Sequence, residues 1–209
     1  MPLSLPCRLA AAFIALVAFA SVGGQLILNA AKPEHAGFVA AAWHMAQYFT
    51  ILTNLLVGVV FGAIALSRPP SGGVVAGTLL SIVMVGVVYH VLLAPATPHA
   101  GAQWWTDFGF HTVTPIASGL WWLVWGDRDL SLGQVPWWLV WPTGYCAYAL
   151  VRGIVSGTYP YFFFDIGRFG VPFVAGYIVA LVLAFALAGA VIWALARLLN
   201  RRRPARTVA

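Results

Sequence analysis

Two stretches of this chain carry residues that can do chemistry. YFTILTNLLVG, residues 48–58, sets Thr50, Thr53 and Asn54 within two helical turns of an apolar run, with Gln47 just before it. DFGFHTVTP, residues 107–115, sets Asp107 and His111 four apart, which is one face of a helix, and Thr114, Pro115 and Ser118 continue that stripe. A threonine hydroxyl is a weak nucleophile until a neighbouring base takes its proton. His111 is the candidate base, and Asp107 is the group that would orient its imidazole. Arg152, a tyrosine hydroxyl or Asn54 would supply donors for a developing oxyanion. Pro115 has no N–H to offer the His111 carbonyl, so the helix is expected to kink there.

Each residue also has an ordinary reading. Thr and Asn in apolar helices bond their own backbone or a neighbouring helix. Asp107 suits a helix N-terminus, and Arg152 and Asp165 suit a surface pair. His90 reads as an interfacial histidine. His111, one turn inside an apolar segment, is the hardest to explain this way, because ionisable groups there are costly. No GxSxG, HExxH, GxGxxG or phosphate-loop motif is present.

The elements that must position these residues are apolar. Of 209 residues, 62% are AVILMFWYC and 8% are charged, with a mean hydropathy of +0.90. A soluble domain carries about 25% charged residues, so the expected solvent is a bilayer and the expected class is an all-α polytopic membrane protein. Six runs approach the roughly 20 residues a span needs: 9–28, 45–66, 74–94, 108–125, 135–155 and 171–199. Short connections at 31–43, 67–73, 95–107, 126–134 and 156–170 make consecutive helices antiparallel neighbours. One six-helix domain over 1–200 and a basic tail over 201–209 follow. The first run follows Arg8 but is long for a signal peptide, so it reads as a retained helix. Arg8, Arg68, Arg128, Arg197, Arg201, Arg202, Arg203 and Arg206 fall on one side, against Lys32, Arg152 and Arg168 on the other. That bias places both termini in the cytoplasm of the cell membrane. The same bias accounts for the net charge of +6 without a nucleic-acid partner. Cys7 and Cys146 form no disulfide framework or metal motif.

On this topology the unusual polar residues share one depth. Thr50, Thr53 and Asn54 lie in the outer half of helix two. His90 ends helix three, and Asp107 and His111 begin helix four. Tyr145, Tyr148 and Arg152 end helix five, and Tyr159, Tyr161 and Asp165 lie in the external stretch YPYFFFDIG. A shared cavity near the outer leaflet is the simplest arrangement that repays so many polar groups.

The stretches YFTILTNLL, HTVTP and YPYFFFDIG, in this order on six apolar runs, resemble the bacterial Pr6Pr-type membrane protein family. That family is similar to the eukaryotic androgen-induced and androgen-dependent TFPI-regulating proteins, intramembrane threonine hydrolases of fatty acid esters of hydroxy fatty acids. The resemblance implies a threonine nucleophile near the outer end of helix two and a histidine at the start of helix four. GFHTVTP places His111 in the second role. Thr50, following two bulky residues, matches the first; a register shifted along the helix would make it Thr53. The relatives carry Asp or Asn three residues after the threonine, where this chain has Thr53 and then Asn54. Asp165 falls where they have an acidic residue after an aromatic run.

The leading expectation is therefore a threonine-type hydrolase of lipid esters, with catalytic Thr50 or Thr53, His111 and Asp107. Asn54, His90, Tyr148, Arg152, Tyr161 and Asp165 would contact a lipid-like substrate. A non-enzymatic lipid or small-molecule carrier would use the same pocket. A metal enzyme built on His90, His111, Asp107 and Asp165 lacks typical ligand spacing, and no cofactor or metal is expected. The small residues of AFALAGAVIWALA offer a packing face without defining an oligomer.

Overall fold

The computed structural model describes residues 3–35, 37–93 and 100–201, so the tail beyond 201 lies outside the described residues. Among these the regular structure is all helical. Helix α1 spans Leu5–Ala30, α2 Phe38–Met45, α3 Phe49–Ala65 and α4 Gly72–Val88, the last extended by a π-helical turn over Tyr89–Leu93. Helix α5 (Ala102–Phe108) runs through a second π turn, Gly109–Val113, into α6 (Thr114–Trp125). Short α7 (Val135–Trp138) precedes α8 (Val140–Ser156), and short α9 (Ile166–Phe169) precedes the long α10 (Val171–Arg201).

Three helical stretches are long and apolar enough to cross a membrane: Leu5–Ala30, Gly72–Leu93 and Val171–Asn200. Helices α2 and α3 make a fourth if they form one broken span, bent by 98°. Helices α6 and α8, at 12 and 17 residues, fall short alone. The second run, expected as one helix over 45–66, is thus divided at 46–48, and the fifth is divided at Leu139.

Small residues let the helices approach. A Cβ on Gly58 would lie 2.6 Å from the Phe19 ring, and Gly86 packs against the carbonyl of His111 and the ring of Pro115. Gly109 would collide with Ser21, which keeps the second π turn pressed against α1. The core between α1, α3, α4 and α6 is filled by Ala11, Ile14, Ala18, Val57, Phe61, Leu80 and Trp121. Large apolar side chains such as Leu16, Val59, Leu120, Val155 and Leu183 are exposed on the outer faces, compatible with an apolar solvent. At the end away from the α2–α3 break, Arg8 donates to the Ala65 carbonyl at 2.9 Å and Trp121 to the Cys7 carbonyl at 3.0 Å. Arg128, 6% exposed, donates to the last carbonyls of α6, where the helix dipole favours a cation.

The break has a physical support that no local motif announces. Leaving a helix at 46 frees carbonyls that must find donors. Helix α8 supplies them: Tyr145 donates to Gln47 O at 2.7 Å, Tyr148 to Ala46 O at 3.1 Å and Arg152 to Trp43 O at 2.6 Å. The Arg152 guanidinium also stacks 4.1 Å from the Trp43 ring centroid. The break starts α3 at Phe49, so that Thr50 in its first turn meets His111.

Candidate active site

Thr50 sits in the first turn of α3, and its Oγ1 lies 3.3 Å from His111 Nε2. His111 lies on the π turn between α5 and α6. The wide turn is closed by a bond from the Thr114 amide to Gly109 O, one residue beyond the α-helical partner. Pro115 has no amide to reach back to His111, so the helix reaches its normal register only after the proline. The turn leaves His111 9% exposed, with its ring directed at Thr50.

The other ring nitrogen settles the tautomer. His111 Nδ1 lies 3.0 Å from Asp107 Oδ1 and 3.1 Å from the Asp107 carbonyl. Both are acceptors, so Nδ1 carries the proton and Nε2 is free to accept from Thr50 in the neutral ring. Tyr89 donates to the second carboxylate oxygen of Asp107 at 2.5 Å and stacks on the imidazole at 3.8 Å, 11° from parallel. Tyr89 is the residue of this cluster that sequence reasoning missed. Its only signal is its place beside His90, and an aromatic near the end of an apolar run reads as an interfacial anchor.

Tyr161 completes the cluster from the 158–165 connection. It lines the two cavities at Thr50, and its hydroxyl is close enough to the Thr50 side chain and to the start of α3 to feel their dipoles. Burial pushes this phenol above its ordinary value of 10.0, against the opposing pull of those neighbours, so it stays protonated. Stacking of Tyr161 on Phe163, and of Phe163 on Tyr177 of α10, fixes the connection in place.

Two cavities meet at this cluster, sharing Thr50, Tyr89, Leu93, His111 and Tyr161. One is a narrow apolar slot of about 60 Å³ between α4, α8 and α10, running to Met84, Leu139 and Phe185. The other is a wider vestibule of about 480 Å³ that includes Gln25, Asn29, Lys32, His44 and Gln103.

The remaining expected residues are placed as follows. Thr53 is fully buried and accepts a bond from Trp141 Nε1 at 3.1 Å, away from His111. Asn54 lies one turn below Thr50 and donates to its carbonyl at 2.9 Å, and its Oδ1 has no partner among the described residues. His90 bonds Thr112 at 3.2 Å in an apolar groove between α4 and α6 that His111 also lines and that Thr50 and Asp107 do not. Tyr148 and Arg152 hold the α2–α3 break and line neither cavity of the cluster. Asp165 caps α9, accepting from the Arg168 amide at 3.0 Å, and also lines neither. No three His, Cys, Asp or Glu side chains are grouped to hold a metal among the described residues.

No family model, curated protein or solved structure matches this chain.

Proposed function

We propose that this chain is an integral membrane hydrolase of the threonine type, acting on lipid esters. One observation carries the reading: Thr50, His111 and Asp107 form a continuous relay where an apolar slot meets a polar vestibule. His111 Nε2 takes the Thr50 proton as Oγ1 bonds to the ester carbon. The charge on Nδ1–H is balanced by Asp107, which Tyr89 holds. The Tyr161 hydroxyl, which lines both cavities at Thr50, and the amides at the start of α3 would be the donors for the developing oxyanion, with the helix dipole in support. His111 then protonates the departing alcohol. Water, activated by the same ring, breaks the acyl–Thr50 bond and restores the hydroxyl.

Thr50 rather than Thr53 is the proposed nucleophile, because Thr50 contacts the base and Thr53 is engaged by Trp141. A multi-pass topology of six spans with cytoplasmic termini fits this reading. Support comes from three long apolar helices, the broken α2–α3 pair, the unbroken helical path over 102–125 and the α7–α8 stretch. The His111 motif and the Thr50 context also fit the family the sequence resembles.

The test is turnover of a panel of acyl esters by detergent-purified protein. Thr50→Ala and His111→Ala should each abolish hydrolysis, and Thr53→Ala should retain it. Hydrolysis indifferent to Thr50 and His111 would replace this reading with a non-catalytic lipid-binding role for the same cavities.

A further inference from the structure

The two cavities that meet at Thr50 differ in chemistry, and an ester has two differing halves. Below Thr50 the slot walls are Met84, Val85, Leu139, Leu181, Val182 and Phe185. Hydrocarbon there loses nothing to unmet hydrogen bonds and gains about 25 cal/mol per Å² relative to water. The depth follows from the helical rise. Met84 is five residues from Tyr89 on α4 and Leu139 six from Tyr145 on α8, so the slot descends about 7.5–9 Å. That length suits an extended chain of roughly six to eight carbons at ordinary C–C bond lengths. Its walls come from α4, α8 and α10, which leave a narrow cavity of about 60 Å³ between them.

The vestibule has apolar walls at Met45, Ile51, Phe110 and Phe162, and beside them a polar side that the slot lacks. Thr106 donates to Gln25 Oε1 at 2.7 Å, Gln25 Nε2 donates to Asn29 Oδ1 at 3.3 Å, and Lys32 and Gln103 lie beside them. Asn29 is 5% exposed. A hydrocarbon chain placed here would strip water from the partly exposed Lys32 and Gln103 without replacing its hydrogen bonds, at a cost of about 1–3 kcal/mol for each group left unmet. Hydroxyls would replace them.

We propose that the cavities divide the ester, the slot taking the acyl chain and the vestibule taking a small, hydroxyl-rich alcohol. The substrate class is a single-chain acyl ester of a polar alcohol, of the monoacylglycerol kind, rather than an ester joining two long chains. This inference rests on the hydrolase reading above. In the reaction the bond from acyl carbon to alcohol oxygen breaks as the bond to Thr50 Oγ1 forms. The alcohol takes its proton from His111 and leaves through the vestibule, and water returns by that route.

Reversed esters test the division. Detergent-purified protein is given glyceryl 1-octanoate, octyl acetate and octyl octanoate, and kcat/KM is compared. Glyceryl octanoate should be favoured at least tenfold over both, and Gln103→Leu should narrow that preference. Equal or faster turnover of octyl acetate or octyl octanoate would overturn the division. If no ester shows Thr50-dependent turnover, the hydrolase reading fails, and a second readout judges the slot alone. Cys146, half-buried, faces the slot. In Thr50→Ala protein, glyceryl octanoate should slow maleimide alkylation of Cys146 several-fold, and glycerol alone should not. Alkylation unaffected by the octanoyl chain would overturn the slot assignment itself.

Discussion

Replacing Asp107 with asparagine removes one charge and leaves the backbone in place. In a relay held only by a carboxylate, such a change flips the histidine tautomer and costs about 10⁴ in turnover. Here the Asp107 carbonyl also accepts from Nδ1, at 3.1 Å, and it survives the substitution. The tautomer should therefore persist, and the loss should be confined to stabilisation of the imidazolium by the carboxylate 3.0 Å away. Two charges about 4 Å apart at an effective dielectric near 20 attract by about 4 kcal/mol. The side chains are 10% and 16% exposed, so partial screening lowers this to about 3 kcal/mol, or ~10²-fold in rate. The assay is kcat/KM on a soluble acyl ester in detergent, with circular dichroism confirming the fold. A folded Asp107→Asn protein within threefold of wild type would refute the electrostatic role. One as inactive as His111→Ala would refute the role given to the backbone carbonyl.

Other substitutions separate chemistry from support. Tyr161→Phe should lower kcat by about 10²–10³ with little change in thermal stability, the range expected for one oxyanion donor. Because Tyr161 titrates above its ordinary 10.0, activity should hold as pH rises to 10. Above that pH the unfolded chain ionises this tyrosine first, so its contribution to stability falls, readable as a declining melting temperature. Thr53→Ala should stay active and lose about 1 kcal/mol of stability with the Trp141 bond, measured by thermal shift. Arg152→Ala should destabilise by about 2 kcal/mol through the uncapped Trp43 carbonyl, and should lower activity by loosening the α2–α3 break.

Some of this was legible in the residues and some was not. The pairing of Asp107 with His111 follows from four-residue spacing, which places them together through an α turn or a slightly widened one. The approach of Thr50 to His111 was anticipated by depth and by the family resemblance, since helices entering from one side bring their first turns level. The division of helix two was not legible. Ala46, Gln47 and Tyr48 contain no proline or glycine, and the break is held by donors about a hundred residues away on α8. For the same reason Tyr148 and Arg152 read as substrate contacts, although their bonds go to backbone carbonyls. Asp165 misled through its neighbourhood, because an acidic residue beside an aromatic run gives no sign that it will turn to cap a four-residue helix. Tyr89 was masked by an ordinary explanation, an aromatic at the end of an apolar segment.

The most direct measurement is the site of covalent labelling by a fluorophosphonate probe, read by peptide mass mapping of detergent-purified protein. The relay predicts one adduct, on Thr50, lost in Thr50→Ala and in His111→Ala and kept in Thr53→Ala. An adduct on Thr53, or labelling that survives in His111→Ala, would contradict it.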